Sequence, residues 1–471
     1  MVALNPAVLN PADLNTAELN PAVMDAEELL AHFAAKTLTP LQALQSVLER
    51  IARQNPDINA FAILNPVALQ DARESTARWQ AGMPKGALDG VPVTVKDLID
   101  MAGLPTRRGS NLTDPAPART DAPVVKALRD AGAVIIGKTT TTEFGWKSPG
   151  DCPHTGITRN PWHLDHTPGG SSSGAGAAAA SGFGALHVGT DAGGSIRIPA
   201  AWCGVVGLKP TFGRVPQWPL GAFGNVAVAG PITRSVRDAA LMLNVLARFD
   251  ASDPFSLPDD GRDWRHGIED GVAGLRIGIL QNPGFAAPVD ADGMAAMERS
   301  HNILQDAGAS VMIAESKLPD TSKIFTKIWG AALARLVGSF PVAEQQYLDP
   351  GLLEVAMQFA DVSAVEMIET EALRLAAAHE MARLSDEFDA FICPTVPACA
   401  PLADAKLSNP VEALWRDWAP WTFLFNLTRQ PAISIPVGVN GQNLPCAVQI
   451  AAPLYRDDIV LRVARTIERV M

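Results

Sequence analysis

Residues 169–195 read GGSSSGAGAAAASGFGALHVGTDAGGS and continue as Ile196-Arg197-Ile198-Pro199-Ala200. Of these 27 residues, 21 are Gly, Ala or Ser, so the backbone here can approach another backbone or a substrate closely. A linker could share that composition, but the alanine run at 177–180 is a strong helix former and Leu186 and Val188 are strand-like. The order is therefore serine loop, helix, strand, then a second serine loop at 191–195. Where two such loops meet, the successive N–H groups of Ala192, Gly193, Gly194 and Ser195 form a nest for an anion. A nest beside a serine hydroxyl supplies acyl transfer with a nucleophile and with donors for the developing oxyanion.

Such a serine needs a base, and no histidine is singled out by its position. Lys96 ends the apolar run Val93-Thr94-Val95. A lysine buried there is favoured as the neutral amine by desolvation, which suits it to take a proton. The competing interpretation is a surface lysine paired with Asp97.

Three other patterns resemble sites without the mechanics of one. Residues 132–139, GAVIIGKT, match the phosphate-loop spacing, but their middle four residues form a β run that cannot curl round a phosphate. Residues 170–174, GSSSG, match a nucleophile elbow, which requires an acid and then a histidine downstream; His187, His266, His301 and His379 are all available and none is distinguished. Cys152, His154, His163 and His166 fit no paired zinc-ligand spacing and share their segment with Pro153, Pro161 and Trp162, so no metal is expected.

The elements that must position the serine loops follow from periodicity. Apolar residues recur at helical spacing over 26–35 and 41–54. A strand at 90–95, a helix at 122–131 and a strand at 133–136 follow, and the rhythm repeats at 274–280, around 297–306, at 310–313 and at 388–393. Alternation of this kind predicts an α/β layered fold. Residues 251–272 are polar and turn-rich but short, an excursion from one large domain. Before residue 24, Leu-Asn recurs at positions 4, 9, 14 and 19 with Pro6, Pro11 and Pro21. Four short copies cannot stack into a solenoid, so 1–23 reads as a flexible extension and 24–471 as the domain.

Composition narrows the function classes. The 471 residues carry 38 Gly and 37 Pro, an excess that argues against a helical bundle. Net charge is −12, with 38 basic and 50 acidic residues and no basic cluster, which argues against a nucleic-acid surface. No apolar stretch is long enough for a membrane span. The five scattered cysteines and a start without an export signal fit reduced thiols in a cytoplasm.

Residues 169–200 resemble the signature of the amidase signature family of serine hydrolases, and Lys96 sits where that family has its catalytic lysine. Further blocks resemble the family in the usual order: Gly137-Lys138-Thr139 with Glu143-Phe144-Gly145, residues 156–162, residues 207–211, and Phe425-Asn426-Leu427-Thr428 with residues 435–438. The resemblance runs from about Met24 to Met471. It implies an α/β/α layered domain around a central mixed sheet, and a Ser–cis-Ser–Lys triad. Ser195 would be the nucleophile, Lys96 the base and Ser171, after a cis Gly170–Ser171 peptide, the bridging serine. Ala192, Gly193, Gly194 and Ser195 would form the oxyanion hole, with Ser172, Asp191 and Arg197 in support. Ala192 replaces a larger residue, and Ser173-Gly174-Ala175 departs from the usual glycine pair; neither removes a catalytic group.

The implied reaction is hydrolysis of an amide or carbamate through an acyl-Ser195, without a cofactor. Residues 143–152, residues 217–224 and the Trp415, Trp418, Trp421 series, which helical spacing would place on one face, are expected at the acyl pocket; Phe144, Trp146, Trp418 and Trp421 are its expected wall. No Arg or Lys is clearly placed for a substrate carboxylate, Arg429 and Arg416 being left as candidates, so a neutral amide or carbamate is expected. The rivals are the glutaminase (A) subunit of a tRNA-dependent amidotransferase and a non-catalytic scaffold of the same fold. A homodimer is common in the family.

Overall fold

Thr39 begins the first long helix. Its hydroxyl accepts from the Gln42 N–H at 3.2 Å while the Gln42 side chain accepts from the Thr39 N–H at 3.0 Å, a reciprocal cap that satisfies two donors a helix start leaves free. Pro40 follows, its missing N–H costing nothing at that position. The helix runs Pro40–Ile58, beyond the expected 41–54; it continues through Pro56 and ends at left-handed Asn59.

The computed structural model describes residues 20–405 and 418–471. Its strands are β1 Phe61–Leu64, β2 Pro92–Lys96, β3 Val134–Thr139, β4 Asp151–Cys152, β5 Gly156–Ile157, β6 Leu186–Asp191, β7 Val206–Lys209, β8 Val228–Thr233, β9 Arg276–Ile279, β10 Ser310–Ile313, β11 Ala390–Pro394, β12 Ala432–Val439 and β13 Pro445–Ala451. Eleven form one sheet in the order β1-β3-β2-β6-β8-β7-β12-β13-β11-β9-β10, and β4 pairs with β5. The sheet is mixed: β3-β2-β6 and β11-β9-β10 run parallel, and β6 to β8, β7, β12 and β13 are joined antiparallel.

Both faces are covered, as an α/β sheet requires. Along β12, Ile433, Ile435 and Val437 enter a core shared with the helices Val236–Leu246 and Asp457–Glu468, whereas Ala432 turns to a second core with Trp421 and Phe425. That period-2 alternation with both sides buried explains why the strands read as continuous apolar runs.

Most predicted elements shift by a few residues. One expectation fails in part: residues 20–23 are not free extension. Pro21–Val23 form a short 3-10 turn, and Ala22 is buried with Leu44 and Phe183. Residues 1–19 lie outside the described residues.

Candidate active site

Lys96 is the last residue of β2 and is completely buried. Beside β2 runs β6, which ends at Asp191 and delivers the loop 192–196. The helix Ser173–Ser181 carries the other serine loop at its start, and every one of its nine residues is buried. A Cβ on Gly174 would lie 2.2 Å from the Ala60 carbonyl oxygen, and one on Gly176 2.9 Å from Pro199 Cβ. The small-residue composition is thus a packing requirement that brings this helix against β1's entry and the helix Arg197–Cys203.

Lys96 Nζ lies 2.7 Å from Ser171 Oγ, 2.9 Å from Thr190 Oγ1 and 3.4 Å from the Thr190 carbonyl oxygen. The Gly170–Ser171 peptide is cis. Burial holds the Lys96 amine well below the usual lysine range, and the Asp191 carboxylate only partly offsets it. A neutral amine has two N–H donors and one lone pair. In that neutral form, donating both to Thr190 would leave the lone pair facing Ser171 Oγ. Ser172 Oγ donates to the Thr190 carbonyl and accepts from the Thr190 N–H, at 3.2 and 3.3 Å, fixing the residue that holds the lysine.

The second loop is locked from below. Arg197 Nε and Nη2 bind both oxygens of Asp191 at 3.0 and 2.9 Å, and neither residue touches solvent. Burial alone would raise the Asp191 carboxyl, but the Arg197 charge and hydrogen bonds from Arg197 and Asn426 bring it down to about 2. The remaining Arg197 donors reach the Thr422 carbonyl, Gln449 Oε1 and Asn426 Oδ1. A buried pair satisfied this fully is rigid rather than merely tolerated.

Asp191 also changes the expected nest. The Gly194 N–H donates to Asp191 Oδ1 at 2.8 Å, so that donor serves the loop itself. The N–H groups of Ala192, Gly193 and Ser195 donate to no acceptor among the described residues. Gly194 has φ of 130° and a Cβ there would lie 2.3 Å from Thr422 Oγ1, so only glycine fits.

Ser171, Thr190, Ala192 and Ser195 line a cavity of about 340 Å³. Its wall is largely apolar, with Phe144, Trp218 and Phe223 among the lining residues. Arg335 and the Asp100–Arg108 pair supply its charge. The expected aromatic wall therefore separates. Phe144 is on the cavity. Trp146 is buried instead against Gly351 and the helix Thr321–Val337, where its carbonyl accepts from Trp329 Nε1. Trp421 faces a different cavity, of about 820 Å³, near Leu280 and Met294. Trp418 packs in the cluster around Trp329, and both Trp418 and Trp421 sit in turns rather than on one helix. Trp415 and Arg416 lie outside the described residues. Arg429 stacks on Phe212, its guanidinium carbon 4.4 Å from the ring centre.

The misleading motifs have structural uses. Lys138, on β3, pairs with Asp97 at 2.7 Å and donates to Pro105 O and Thr106 Oγ1 in the loop that follows β2. His187 Nδ1 bonds Thr94 Oγ1, and burial pushes its pKa down to about 3. Cys152, His154 and His166 bond Thr155, Asn111 and the Ala400 carbonyl respectively.

Thr190, Thr422, Asn426 and Gln449 were not foreseen as parts of the site. Asn426 stood in a recognised block without a role, and Thr190 adjoins Asp191; the other two have no local signal.

Residues 42–461 match the family model described as Amidase. The chain is 35% identical over 456 residues to an acylamidase of Rhodococcus erythropolis, covering 95% of each. It is 32% identical over 475 residues to the A subunit of the glutamyl-tRNA(Gln) amidotransferase of Carboxydothermus hydrogenoformans, covering 95% of this chain and 97% of that one. Among solved structures, a bacterial aryl acylamidase of the amidase signature enzymes superposes with a TM-score of 0.87 at 28% identity, covering 95% of this chain and 96% of that one. A 6-aminohexanoate cyclic dimer hydrolase complexed with substrate gives 0.85 at 29%, covering 96% and 97%.

Proposed function

The chain belongs to the amidase signature family, whose members hydrolyse amides, and from that premise we propose that it cleaves the C–N bond of a small neutral carboxylic amide or carbamate through an acyl-Ser195 intermediate. The observation that carries this reading is the 2.7 Å contact between fully buried Lys96 and Ser171 on the wall that also holds Ser195. Neutral Lys96 takes the Ser171 proton as Ser171 takes that of Ser195, whose Oγ attacks the substrate carbonyl. The oxyanion is received by the N–H groups of Ala192, Gly193 and Ser195; removing one such donor typically costs about 10²–10³ in rate. Collapse breaks the C–N bond, and the relay returns the proton to the leaving amine. Water, deprotonated along the same relay, then releases the acid.

The apolar wall with Phe144, Trp218 and Phe223 supports a substrate with an aryl or compact apolar group. A panel of anilides, aliphatic amides, carbamates, ureas and glutamine assayed with the purified protein tests this. Turnover of anilides or aryl carbamates above all others is expected.

A second reading is hydrolysis of the glutamine side-chain amide together with a partner. It is favoured by Arg335 on the cavity wall, which could receive a carboxylate, and by the relative named as the A subunit of an amidotransferase. Glutamine turnover that exceeds anilide turnover would select it. A scaffold without catalysis would show neither turnover nor labelling by a fluorophosphonate.

A further inference from the structure

Cys399 and Cys446 place their sulfur atoms 3.6 Å apart although 47 positions separate them in sequence. Cys446 is the second residue of β13, and Cys399 follows β11 by five residues. The other three cysteines are engaged elsewhere: Cys152 with Thr155, Cys203 with the Pro168 carbonyl, Cys393 with Gln449. Backbone on both sides of Cys399 is pinned, because the Ala398 carbonyl accepts from Trp202 Nε1 at 3.0 Å and the Ala400 carbonyl bonds His166 Nδ1. The sulfur is therefore presented by fixed chain. A disulfide bond is about 2.05 Å long, so closure requires the two sulfur atoms to approach by about 1.5 Å. Cys399 is half-buried, so the pair is approached from its side.

We propose that Cys399 and Cys446 are a modification site, a dithiol that a hydroperoxide oxidises to an intrachain disulfide. The inference stands apart from the amidase chemistry. The Cys399 S–H donated to Cys446 Sγ favours the Cys446 thiolate, with burial and Asp292 opposing. That thiolate attacks one peroxide oxygen, the O–O bond breaks, and the other oxygen leaves with a proton as water or alcohol. Cys399 sulfur then displaces the remaining oxygen as water as the S–S bond forms. Two thiols are oxidised and one hydroperoxide is reduced. The bond would close a chain segment containing Thr422 and Asn426, which hold the Gly193 carbonyl and Asp191. Oxidation is thus expected to stabilise the segment that braces the nucleophile loop.

The test treats the reduced full chain with hydrogen peroxide and maps peptides without reductant. Expected are a linked Cys399–Cys446 peptide, a fall in free thiols from five to three, and a higher thermal midpoint than in the reduced protein. Cys399→Ser should retain amide hydrolysis and show no peroxide-dependent rise. Separately oxidised cysteines without the linked peptide, or five thiols surviving, would overturn the site. A linked peptide with an unchanged midpoint would overturn the bracing effect.

Discussion

Lys96 and Ser171 lie 75 residues apart in sequence, one at a strand end and one in a loop, yet Nζ meets Oγ at 2.7 Å with both side chains buried. This contact sets the protonation logic of the protein. An amine without a carboxylate partner in contact has nothing to hold its charge, and the nearest influence, Asp191, is already committed to Arg197. Burial thus disfavours the charged form of Lys96 beside Ser171.

The lowered Lys96 pKa makes stability depend on pH. Because the folded Lys96 pKa is lowered, the unfolded chain binds more protons between the folded value and 10.5, so stability rises with pH across that window and is lost as pH falls through it. Amide hydrolysis should rise with the same deprotonation. Lys96→Met is expected to flatten the stability slope and to lower kcat by about 10²–10⁴; urea titrations and initial rates across pH check both.

Thr190 is predicted to be a positioning residue. Thr190→Val removes the hydroxyl 2.9 Å from Lys96 Nζ but keeps the volume, and a lost buried hydrogen bond is worth about 1–3 kcal/mol. The expected outcome is a tenfold or larger fall in kcat with KM little changed, and a displaced acidic limb in the pH–rate profile. Rescue by Thr190→Ser would distinguish loss of the hydroxyl from loss of packing.

Acid should release the Asp191–Arg197 lock. With the Asp191 pKa moved from 3.8 to about 2, the pair contributes about 2 kcal/mol that is present above about pH 4 and disappears as pH falls through 2. Asp191→Asn leaves the Arg197 charge buried and unpaired, which costs about 3–5 kcal/mol. Thermal melts of both proteins at pH 7 and pH 3 are expected to differ most at pH 7.

Specificity should respond to the half-exposed aromatic at the cavity mouth. Trp218 is 50% exposed and lines the cavity. Trp218→Ala is expected to raise KM for anilides about tenfold, the value of one aromatic contact, while leaving kcat for a small aliphatic amide within twofold. Steady-state kinetics on the two substrates reads the difference.

The sequence made some of this visible and not the rest, for physical reasons. Lys96 at a strand end and the two Gly/Ser loops were legible as local patterns, whereas the choice of Ser171 and Ser195 within those loops came from the family resemblance. The capture of the Gly194 N–H by Asp191 was also within reach, since Asp side chains commonly bond backbone a few residues on; among the described residues three donors of the nest are left without an acceptor where four were expected. The α/β rhythm was readable, whereas the insertion of β8 and β7 between β6 and β12 was not, because strand order depends on tertiary pairing. Trp146 and Trp421 failed as pocket walls because aromatic spacing says what is apolar but not which core it enters. Thr422, Asn426 and Gln449 reach the site from more than 220 residues away, beyond any local signal.

Ser195 as nucleophile is the claim on which the proposed chemistry depends, and covalent trapping tests it most directly. Wild type treated with a fluorophosphonate should gain one adduct, mapped by mass spectrometry to the peptide carrying Ser195, with amide hydrolysis lost in proportion. Ser195→Ala should take up no label and hydrolyse no amide while melting as wild type does. Labelling and hydrolysis that persist in Ser195→Ala would contradict it.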